Sequence, residues 1–256
     1  MSSAPQVRPS IPPDVFRRTI VIIPAYNEAG NIAAIVSGIR SDYPEARVVV
    51  IDDGSSDRTR EFAQRAGAVV LSHPTNLGYG VALQTGYKYA LNARSCDYVV
   101  QIDGDGQHDY REIPRLLEPI VRRGADIVIG SRFIDGRPSY RIGLRRKWGI
   151  FFFRVLYRAL AGNKVNDVTS GMKALRKSVV EKCIRDDFPY HYPDTNVLLL
   201  HSRNGFRIAE VPSAMRENRE RKSMHGSVRR QLFYFIWMLL AIWTVRAKTK
   251  GRRHAS

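Results

Sequence analysis

Short apolar segments alternate with amphipathic segments through the first half of the chain. The apolar segments are rich in Val and Ile, as buried strands are, and they cover residues 19–24, 47–51, 68–71, 98–102 and 126–129. Between them we predict helices over 31–40, 80–94 and 113–123, and a helix capped by Ser56 that ends near residue 66. Strands that alternate with helices form parallel βαβ units. The chain is therefore expected to have an α/β fold, with a Rossmann-like, mostly parallel sheet flanked by helices.

The pattern changes after residue 130, where cations become frequent. We expect a loop over 132–147, an apolar segment over 148–160, a turn over 167–171, a helix over 193–204, a strand over 207–211 and a charged loop over 215–226. The Pro- and Ser-rich start predicts a disordered lead-in over residues 1–18. The rest is interpreted as one folded domain over 19–228, followed by an apolar helix and a basic tail over 229–256.

The chain is strongly basic. Its 256 residues include 41 Lys and Arg against 24 Asp and Glu, a net charge of +17. An excess of this size indicates an anionic partner: a nucleic acid, an anionic lipid surface or a phosphorylated ligand. The two cysteines, Cys96 and Cys183, lie outside any metal-binding spacing and favour a reducing, cytosolic compartment. The first 14 residues lack the apolar core of a signal peptide, so none is expected.

The segment 232–245 is largely apolar and rich in aromatic residues. Its 14 residues fall short of the roughly 20 needed to cross a bilayer, so we expect no full transmembrane span. Arg229 and Arg230 precede it, and Arg246 follows. The segment is either a core helix or a helix that lies in a membrane interface. The aromatic residues and flanking cations favour the interface.

Polar clusters follow three of the predicted strands. They are 24–28 (PAYNE), 52–55 (DDGS) and 103–107 (DGDGQ). Ligands of an open parallel sheet bind beyond the carboxyl ends of its strands, so these clusters form one oxygen-rich site. Such a site suits Mg²⁺ or Mn²⁺ together with a diphosphate. Asp103 and Asp105 are two residues apart and can face the same side, while His108 is interpreted as structural.

Motifs for several other chemistries are missing from the sequence. There is no G-x-x-x-x-G-K-[ST] loop for a P-loop ATPase and no G-x-G-x-x-G after the first strand. There is also no G-x-S-x-G elbow of a serine hydrolase. Hydride transfer and acyl hydrolysis are therefore not expected.

Six motifs, in the order PAYNE, DDGSSD, NLGYGVALQTGYKYA, DGDGQH, GSRF and DVTSG, resemble those of the family two inverting glycosyltransferases. The resemblance covers about residues 19–226 and is strongest with the group that uses polyprenyl phosphates, including dolichol-phosphate mannose synthases. It implies the GT-A fold, with C-terminal amphipathic helices at a membrane interface. It also implies an acceptor loop and an interfacial helix at about 132–161.

The resemblance implies roles for residues on the donor side. Pro24, Tyr26 and Glu28 would line the nucleotide pocket, with Tyr26 against the base, and Asp53 would hydrogen-bond the base. The metal and the donor diphosphate would be held by Asp103, Asp105 and Gln107.

On the acceptor side, Arg132 and Arg146 would meet the acceptor phosphate, with Arg145 as a rival to Arg146. Asp167, Ser170 and Gly171 form the turn near the sugar. Further candidates for the phosphate are Arg219, Arg221 and Lys222. Within the whole set, the resemblance marks Asp105, Arg132 and Asp167 as catalytic.

The expected activity is metal-dependent, inverting transfer of a hexose from GDP-mannose, UDP-glucose or another UDP-sugar to a dolichyl or undecaprenyl phosphate. The enzyme would sit peripherally on the cytoplasmic face of an anionic membrane, and a small membrane-protein partner is compatible with this. One alternative is an acceptor hydroxyl with Asp194 as general base. More distant alternatives are a basic nucleic-acid-binding protein, which the acidic clusters oppose, and a non-catalytic membrane scaffold.

Overall fold

The computed structural model describes residues 11–134, 144–185, 188, 193–215 and 228–252. The strands are β1 (Thr19–Ala25), β2 (Arg47–Asp52), β3 (Val69–Ser72), β4 (Tyr98–Gln101), β5 (Ile127–Ser131), β6 (Lys173–Arg176) and β7 (Ile208–Pro212). The helices are α1 (Pro13–Arg17), α2 (Ile32–Asp42), α3 (Thr59–Arg65), α4 (Tyr79–Asn92), α5 (Ile113–Arg123), α6 (Leu144–Ala161), α7 (Lys177–Cys183), α8 (Thr195–Arg203) and α9 (Val228–Arg252).

The strands form a single sheet in the order β3-β2-β1-β4-β6-β5-β7. Neighbouring strands are parallel except at β6, which runs antiparallel to both β4 and β5. Strand β1 is buried along its whole length, and its side chains alternate between two apolar layers. Ile20 and Ile22 face the layer with α4, whereas Val21 and Ile23 face the layer with α2 and α5. Burial on both faces explains the continuous apolar runs.

The parallel register brings the carboxyl ends of three strands together. Ala25 at the end of β1 pairs with Asp52 at the end of β2, and Ile22 pairs with Gln101 at the end of β4. The loops that follow are joined by backbone hydrogen bonds from Asp53 N to Ala25 O (2.9 Å) and from Gly104 N to Pro24 O (3.2 Å). The predicted convergence of the polar clusters at one edge of the sheet is confirmed.

The α/β prediction is confirmed, and α5 begins and ends where the sequence predicts. The cap of α3 is a correction: Ser56 donates its N–H to Asn27 Oδ1 (2.9 Å), and α3 begins only at Thr59. The prediction of disorder over 1–18 is wrong for α1, because this helix forms and buries Val15. Residues 1–10 lie outside the described part of the chain.

Two elements after residue 170 are not predicted by the sequence. Strand β6 has only four residues and includes two cations, yet the sheet buries Lys173 between β4 and β5. Helix α7 follows β6 directly and buries Val179, Val180 and Cys183. The predicted loop over 132–147 overlaps the first turn of α6, while residues 135–143 lie outside the described residues. The predicted charged loop over 215–226 also lies outside them, except for Met215.

Helices α6 and α9 are each buried on one side and exposed on the other. Their buried side chains, which include Phe153 and Tyr157 on α6 and Met238 and Ile242 on α9, join the core. Their opposite sides form an exposed apolar face, made of Trp148, Phe151, Phe152, Val155, Phe233, Ile236, Trp237, Leu240 and Trp243. The rings of Phe152 and Phe235 lie 5.0 Å apart, so the two helices touch. Within the described ranges, no helix has the length and apolar character required to cross a membrane.

Candidate active site

The loop after β1 contributes Tyr26 and Glu28 to the edge of the sheet. Asn27 between them adopts φ 56°, a left-handed conformation that Asn tolerates well. Its side chain accepts from Ser56 N, and Glu28 N donates to Thr59 Oγ1 (2.8 Å). These bonds tie the first loop to the second. Tyr26 is left 47% exposed, so its ring is accessible to a planar base.

Asp53 is buried behind this loop and organises the start of α4. Its carboxylate accepts from Leu77 N (2.9 Å) and Gly78 N (2.8 Å), and it pairs with His73 Nδ1 at 2.7 Å. In this arrangement Asp53 shapes the 76–78 loop at the start of α4. The predicted contact between Asp53 and a base stays a prediction.

Helix α4 connects Asp53 with Asp103 through two consecutive residues. Gly78 donates its N–H to Asp53, and the hydroxyl of Tyr79 donates to Asp103 Oδ1 (2.7 Å). Gly171 packs against the other side of the Asp103 carboxylate, since a Cβ at residue 171 would lie 1.9 Å from Asp103 Oδ2. Two of the predicted donor-side carboxylates, Asp53 and Asp103, are thus brought into one hydrogen-bonded unit.

The electrostatics around Asp103 favour its ionised form. Burial alone would raise the pKa of Asp103, but His108, the hydrogen bond from Tyr79 and the charge of Lys173 together lower that pKa below its ordinary value. Burial, and then the negative charge of Asp103, raise the pKa of Tyr79 well above its ordinary value. The phenol therefore keeps its proton and remains a donor to the carboxylate.

Asp105 and Gln107 occupy the rest of the acidic loop. Both are partly exposed, and Asp105 Oδ1 accepts from Gln107 N (3.0 Å). The ring of His108 is buried, with Nε2 3.7 Å from Asp103 Oδ2, and neither ring nitrogen has a hydrogen-bond partner. The two carboxylates, the amide and this unsatisfied imidazole make the loop that follows β4 strongly polar.

The residues present fit a divalent cation shared with a substrate. In the part of the chain that the structure describes, no three His, Cys, Asp or Glu side chains are grouped to hold a metal alone. Mg²⁺ bound with phosphates typically uses only one or two protein carboxylates. Asp103, Asp105 and Gln107 provide oxygen ligands of that kind, and the lowered pKa of Asp103 keeps it charged.

Arg132 and Asp167 form a buried ion pair with each other. Arg132 Nε lies 2.6 Å from Asp167 Oδ2, Nη2 lies 2.6 Å from Oδ1, and the two side chains are 1% and 0% exposed. Arg132 Nη2 also donates to Thr169 Oγ1 (2.7 Å). The sequence predicted a direct contact of Arg132 with an acceptor phosphate. With the pair closed as observed, the guanidinium stabilises the 167–171 turn, and the phosphate contact stays a prediction.

Three residues at the site were missed by the sequence analysis. Glu210 of β7 accepts from Asn166 N and Asp167 N, both at 2.8 Å, and thereby fixes the turn. Gln101 and Tyr79 hold Asp103, with Gln101 Nε2 donating to Tyr79 Oη at 2.8 Å. A polar residue inside an otherwise apolar strand, as Gln101 and Glu210 are, is the signal that could have found two of them.

The side chains of several predicted acceptor residues lie outside the described part of the chain. Arg146 lies in the first turn of α6, but the structure does not describe its side chain, and the same holds for Arg145. Arg219, Arg221 and Lys222 belong to the undescribed segment 216–227. Ser170, in contrast, is buried and donates to Gly130 O (2.6 Å), so it holds the turn against β5.

The chain is similar to known proteins. The profile described as Glycosyl transferase family 2 matches residues 20–184, more than half of the chain. A polyprenol monophosphomannose synthase from Mycolicibacterium smegmatis is 31% identical over 247 residues, which cover 93% of this chain and 91% of that protein. An undecaprenyl-phosphate mannosyltransferase from Micrococcus luteus is 32% identical over 237 residues, which cover 88% of this chain and 96% of that protein.

The fold is also similar to that of a solved enzyme. Glucosyl-3-phosphoglycerate synthase from Mycobacterium tuberculosis, crystallised with Mn²⁺, uridine diphosphate and glucosyl-3-phosphoglycerate, matches with a TM-score of 0.68 and 23% identity. The match covers 91% of this chain and 81% of that chain, and at this identity it bears on the fold alone. Together with the family profile, these likenesses show that the chain is a glycosyltransferase with the GT-A fold and belongs to glycosyl transferase family 2.

Proposed function

We propose that the chain transfers a hexose from a nucleotide sugar to a polyprenyl phosphate, with Mg²⁺ or Mn²⁺ as cofactor. The observation that carries the proposal is the hydrogen-bonded unit in which Gly78, the N-cap of α4, holds Asp53 and the next residue, Tyr79, holds Asp103. The names of the two full-length relatives, both of which specify mannose and a polyprenyl phosphate, support the same acceptor.

The donor side of the reaction follows from the residues at the sheet edge. Tyr26 packs on the base, and the loop that Asp53 organises closes the nucleotide pocket. Asp103, Asp105 and Gln107 would hold the cation, which supplies Lewis-acid stabilisation of the charge that grows on the leaving diphosphate. Tyr79 and Gly171 keep the Asp103 carboxylate in a fixed orientation, so little reorganisation accompanies donor binding.

The acceptor side requires cations more than a base. A phosphate monoester has a second pKa of about 6, so it is already a nucleophile near neutral pH. Arg132, Arg146 and the basic residues Arg219, Arg221 and Lys222 are proposed to hold that phosphate in line with the sugar, because guanidinium groups match phosphate oxygens. For Arg132, this role requires an opening of its ion pair with Asp167.

The exposed apolar face of α6 and α9 is proposed to rest on the cytoplasmic face of the membrane. Trp148 and Trp243 are 67% and 69% exposed, and a contiguous set of large apolar side chains in water marks an interaction surface. Aromatic side chains with nearby cations suit the interface of an anionic bilayer. The phosphate of a polyprenyl phosphate lies at the membrane interface. The same face would therefore bring the catalytic edge of the sheet to its acceptor.

A hydroxyl acceptor is a second candidate, and Asp194 favours it. Asp194 occupies the N-cap of α8, and its charge contributes to the raised pKa of Tyr79, which places it near the acidic site. A hydroxyl nucleophile needs a carboxylate base. Asp194→Asn should leave transfer to a phosphate almost unchanged and should severely reduce transfer to a hydroxyl.

The proposal is tested with a panel of radiolabelled nucleotide sugars, including GDP-mannose and UDP-glucose, incubated with membrane extract, added polyprenyl phosphates and Mn²⁺ or Mg²⁺. We expect one donor to give a labelled product that partitions into organic solvent and is absent after EDTA treatment. Label found only in water-soluble glycans or glycoprotein would favour the hydroxyl acceptor instead. Absence of label from every donor with both metals would contradict the proposal.

A further inference from the structure

Gln101 is a buried amide that joins three parts of the site. It is 1% exposed at the end of β4, and its side chain makes three hydrogen bonds. Oε1 accepts from the Tyr87 hydroxyl (2.8 Å), while Nε2 donates to the Tyr79 hydroxyl (2.8 Å) and to Gly171 O (2.9 Å). One side chain thus connects α4, the end of β4 and the turn that packs against Asp103.

The direction of each hydrogen bond follows from the chemistry of the groups. Gly171 O is a carbonyl and can only accept, so the NH₂ group of Gln101 must face it. The same NH₂ group then donates to the oxygen of Tyr79. Because Tyr79 has a single hydroxyl hydrogen, that hydrogen is left for Asp103 Oδ1, 2.7 Å away. The hydroxyl of Tyr87 completes the arrangement by donating to the amide oxygen.

We propose that Gln101 is a positioning residue for the metal-binding carboxylate and acts through Tyr79. The amide orients the phenol, and the phenol holds Asp103 Oδ1, so the carboxylate keeps the orientation in which it would bind the cation. Partners of this kind orient metal ligands and raise metal affinity. The inference rests on the proposed function, because it requires a divalent cation at Asp103.

Three substitutions test the proposal with little change in side-chain size. Gln101→Glu replaces the NH₂ group by an oxygen that cannot donate, so the new carboxylate faces Gly171 O unfavourably and attracts the hydrogen of Tyr79. Asp103 then loses its donor. Tyr79→Phe removes the hydrogen bond to Asp103 together with the one that Tyr79 accepts from Gln101 Nε2, and keeps the ring in place. Tyr87→Phe removes the hydrogen bond to Gln101 Oε1, while the bond from Nε2 to Gly171 O still orients the amide.

The measurement is Mn²⁺ binding by electron paramagnetic resonance, with saturating UDP in one series and saturating GDP in another. We expect Tyr79→Phe to weaken Mn²⁺ binding about tenfold and Gln101→Glu to weaken it at least as much. Tyr87→Phe should change it by about twofold or less, since the orientation of the amide is retained. Tyr89→Phe, on the same helix at the opposite end of the strands, is the control and should match the wild type. Melting temperatures measured in EDTA separate lost positioning from lost folding.

The outcomes distinguish this inference from the proposed function. If the wild type binds no Mn²⁺ with either nucleotide, the metal-dependent donor site itself is wrong. If the wild type binds Mn²⁺ and folded Gln101→Glu binds it equally well, the positioning role is overturned. The role is also overturned if Tyr79→Phe weakens binding while Gln101→Glu does not.

Discussion

The two halves of the sheet hold their polar groups in different ways. In the half of the sheet proposed to bind the donor (the donor half), formed by β3, β2, β1 and β4, the acidic residues at strand ends are fixed by loops and by the start of α4, as Asp53 and Asp103 are. In the half proposed to bind the acceptor (the acceptor half), formed by β6, β5 and β7, charges pair inside the protein, as Arg132 does with Asp167. The donor half presents a preformed acidic edge. The acceptor half pairs Arg132 with Asp167 in its interior, and it exposes the apolar sides of α6 and α9.

The largest effect is expected where the acceptor half buries its charges. Asp167→Ala would leave Arg132 charged and uncompensated in the interior, which costs about 3–5 kcal/mol of unfolding free energy. Chemical denaturation of the purified protein measures this loss. Glu45→Ala, which breaks the exposed Arg17–Glu45 pair, is the control and should leave the denaturation midpoint unchanged.

A double replacement sharpens the same test. Arg132→Met with Asp167→Leu removes both charges and fills the space with apolar groups, so it should recover much of the stability lost in Asp167→Ala. If Asp167→Ala is as stable as the wild type, the pair is not buried as the structure has it, and the contrast between the halves fails.

The next effect is expected where the two halves meet. Gly171→Ala would place a methyl carbon 1.9 Å from Asp103 Oδ2, so the turn or the carboxylate must shift. A displacement of about 1 Å at a catalytic group costs about 100-fold in rate. Steady-state transfer assays measure the loss. Gly149→Ala in α6, where a Cβ meets nothing within 4 Å, should keep full activity, and equal activity of the two variants would refute the contact.

The smallest effect concerns the exposed apolar face. Trp243→Glu replaces a large side chain, 69% exposed on α9, with a charge. Loss of the contact between one aromatic side chain and the bilayer should weaken binding to anionic vesicles about tenfold. Co-sedimentation measures this binding. The matched control is Val69→Glu on β3, an exposed apolar residue away from α6 and α9, which should bind like the wild type. If Val69→Glu weakens vesicle binding as much as Trp243→Glu does, the loss comes from the added negative charge and not from the apolar face.

The donor half could be predicted from sequence because its signals are local. Each strand of this half is a β-branched run, and each acidic cluster follows its strand directly, so the parallel topology alone brings Asp53 and Asp103 together. Strand β6 could not be predicted in this way. Its four residues, Lys173–Arg176, contain no apolar run of their own and pair with β4 and β5 only in the folded sheet.

The side chains that pair with the site residues could also not be predicted from the local sequence. Arg132 and Asp167 are 35 residues apart in sequence, and their pairing depends on how β5 and the turn pack together. Helices α6 and α9 illustrate a related difficulty. Hydropathy marks them as apolar, but only the packing of Phe153 and Met238 into the core shows which side faces outward.

Transfer by an Asp105 variant tests the central claim most directly. Asp105 is partly exposed at the acidic edge, and Asp105→Asn keeps its size and an oxygen that can accept from Gln107 N. The measurement is hexose transfer to a polyprenyl phosphate across a Mn²⁺ titration, for the wild type, Asp105→Asn and Asp105→Ala. The account predicts folded variants without transfer at any Mn²⁺ concentration that supports the wild type. Transfer by folded Asp105→Ala at ordinary Mn²⁺ levels would contradict it.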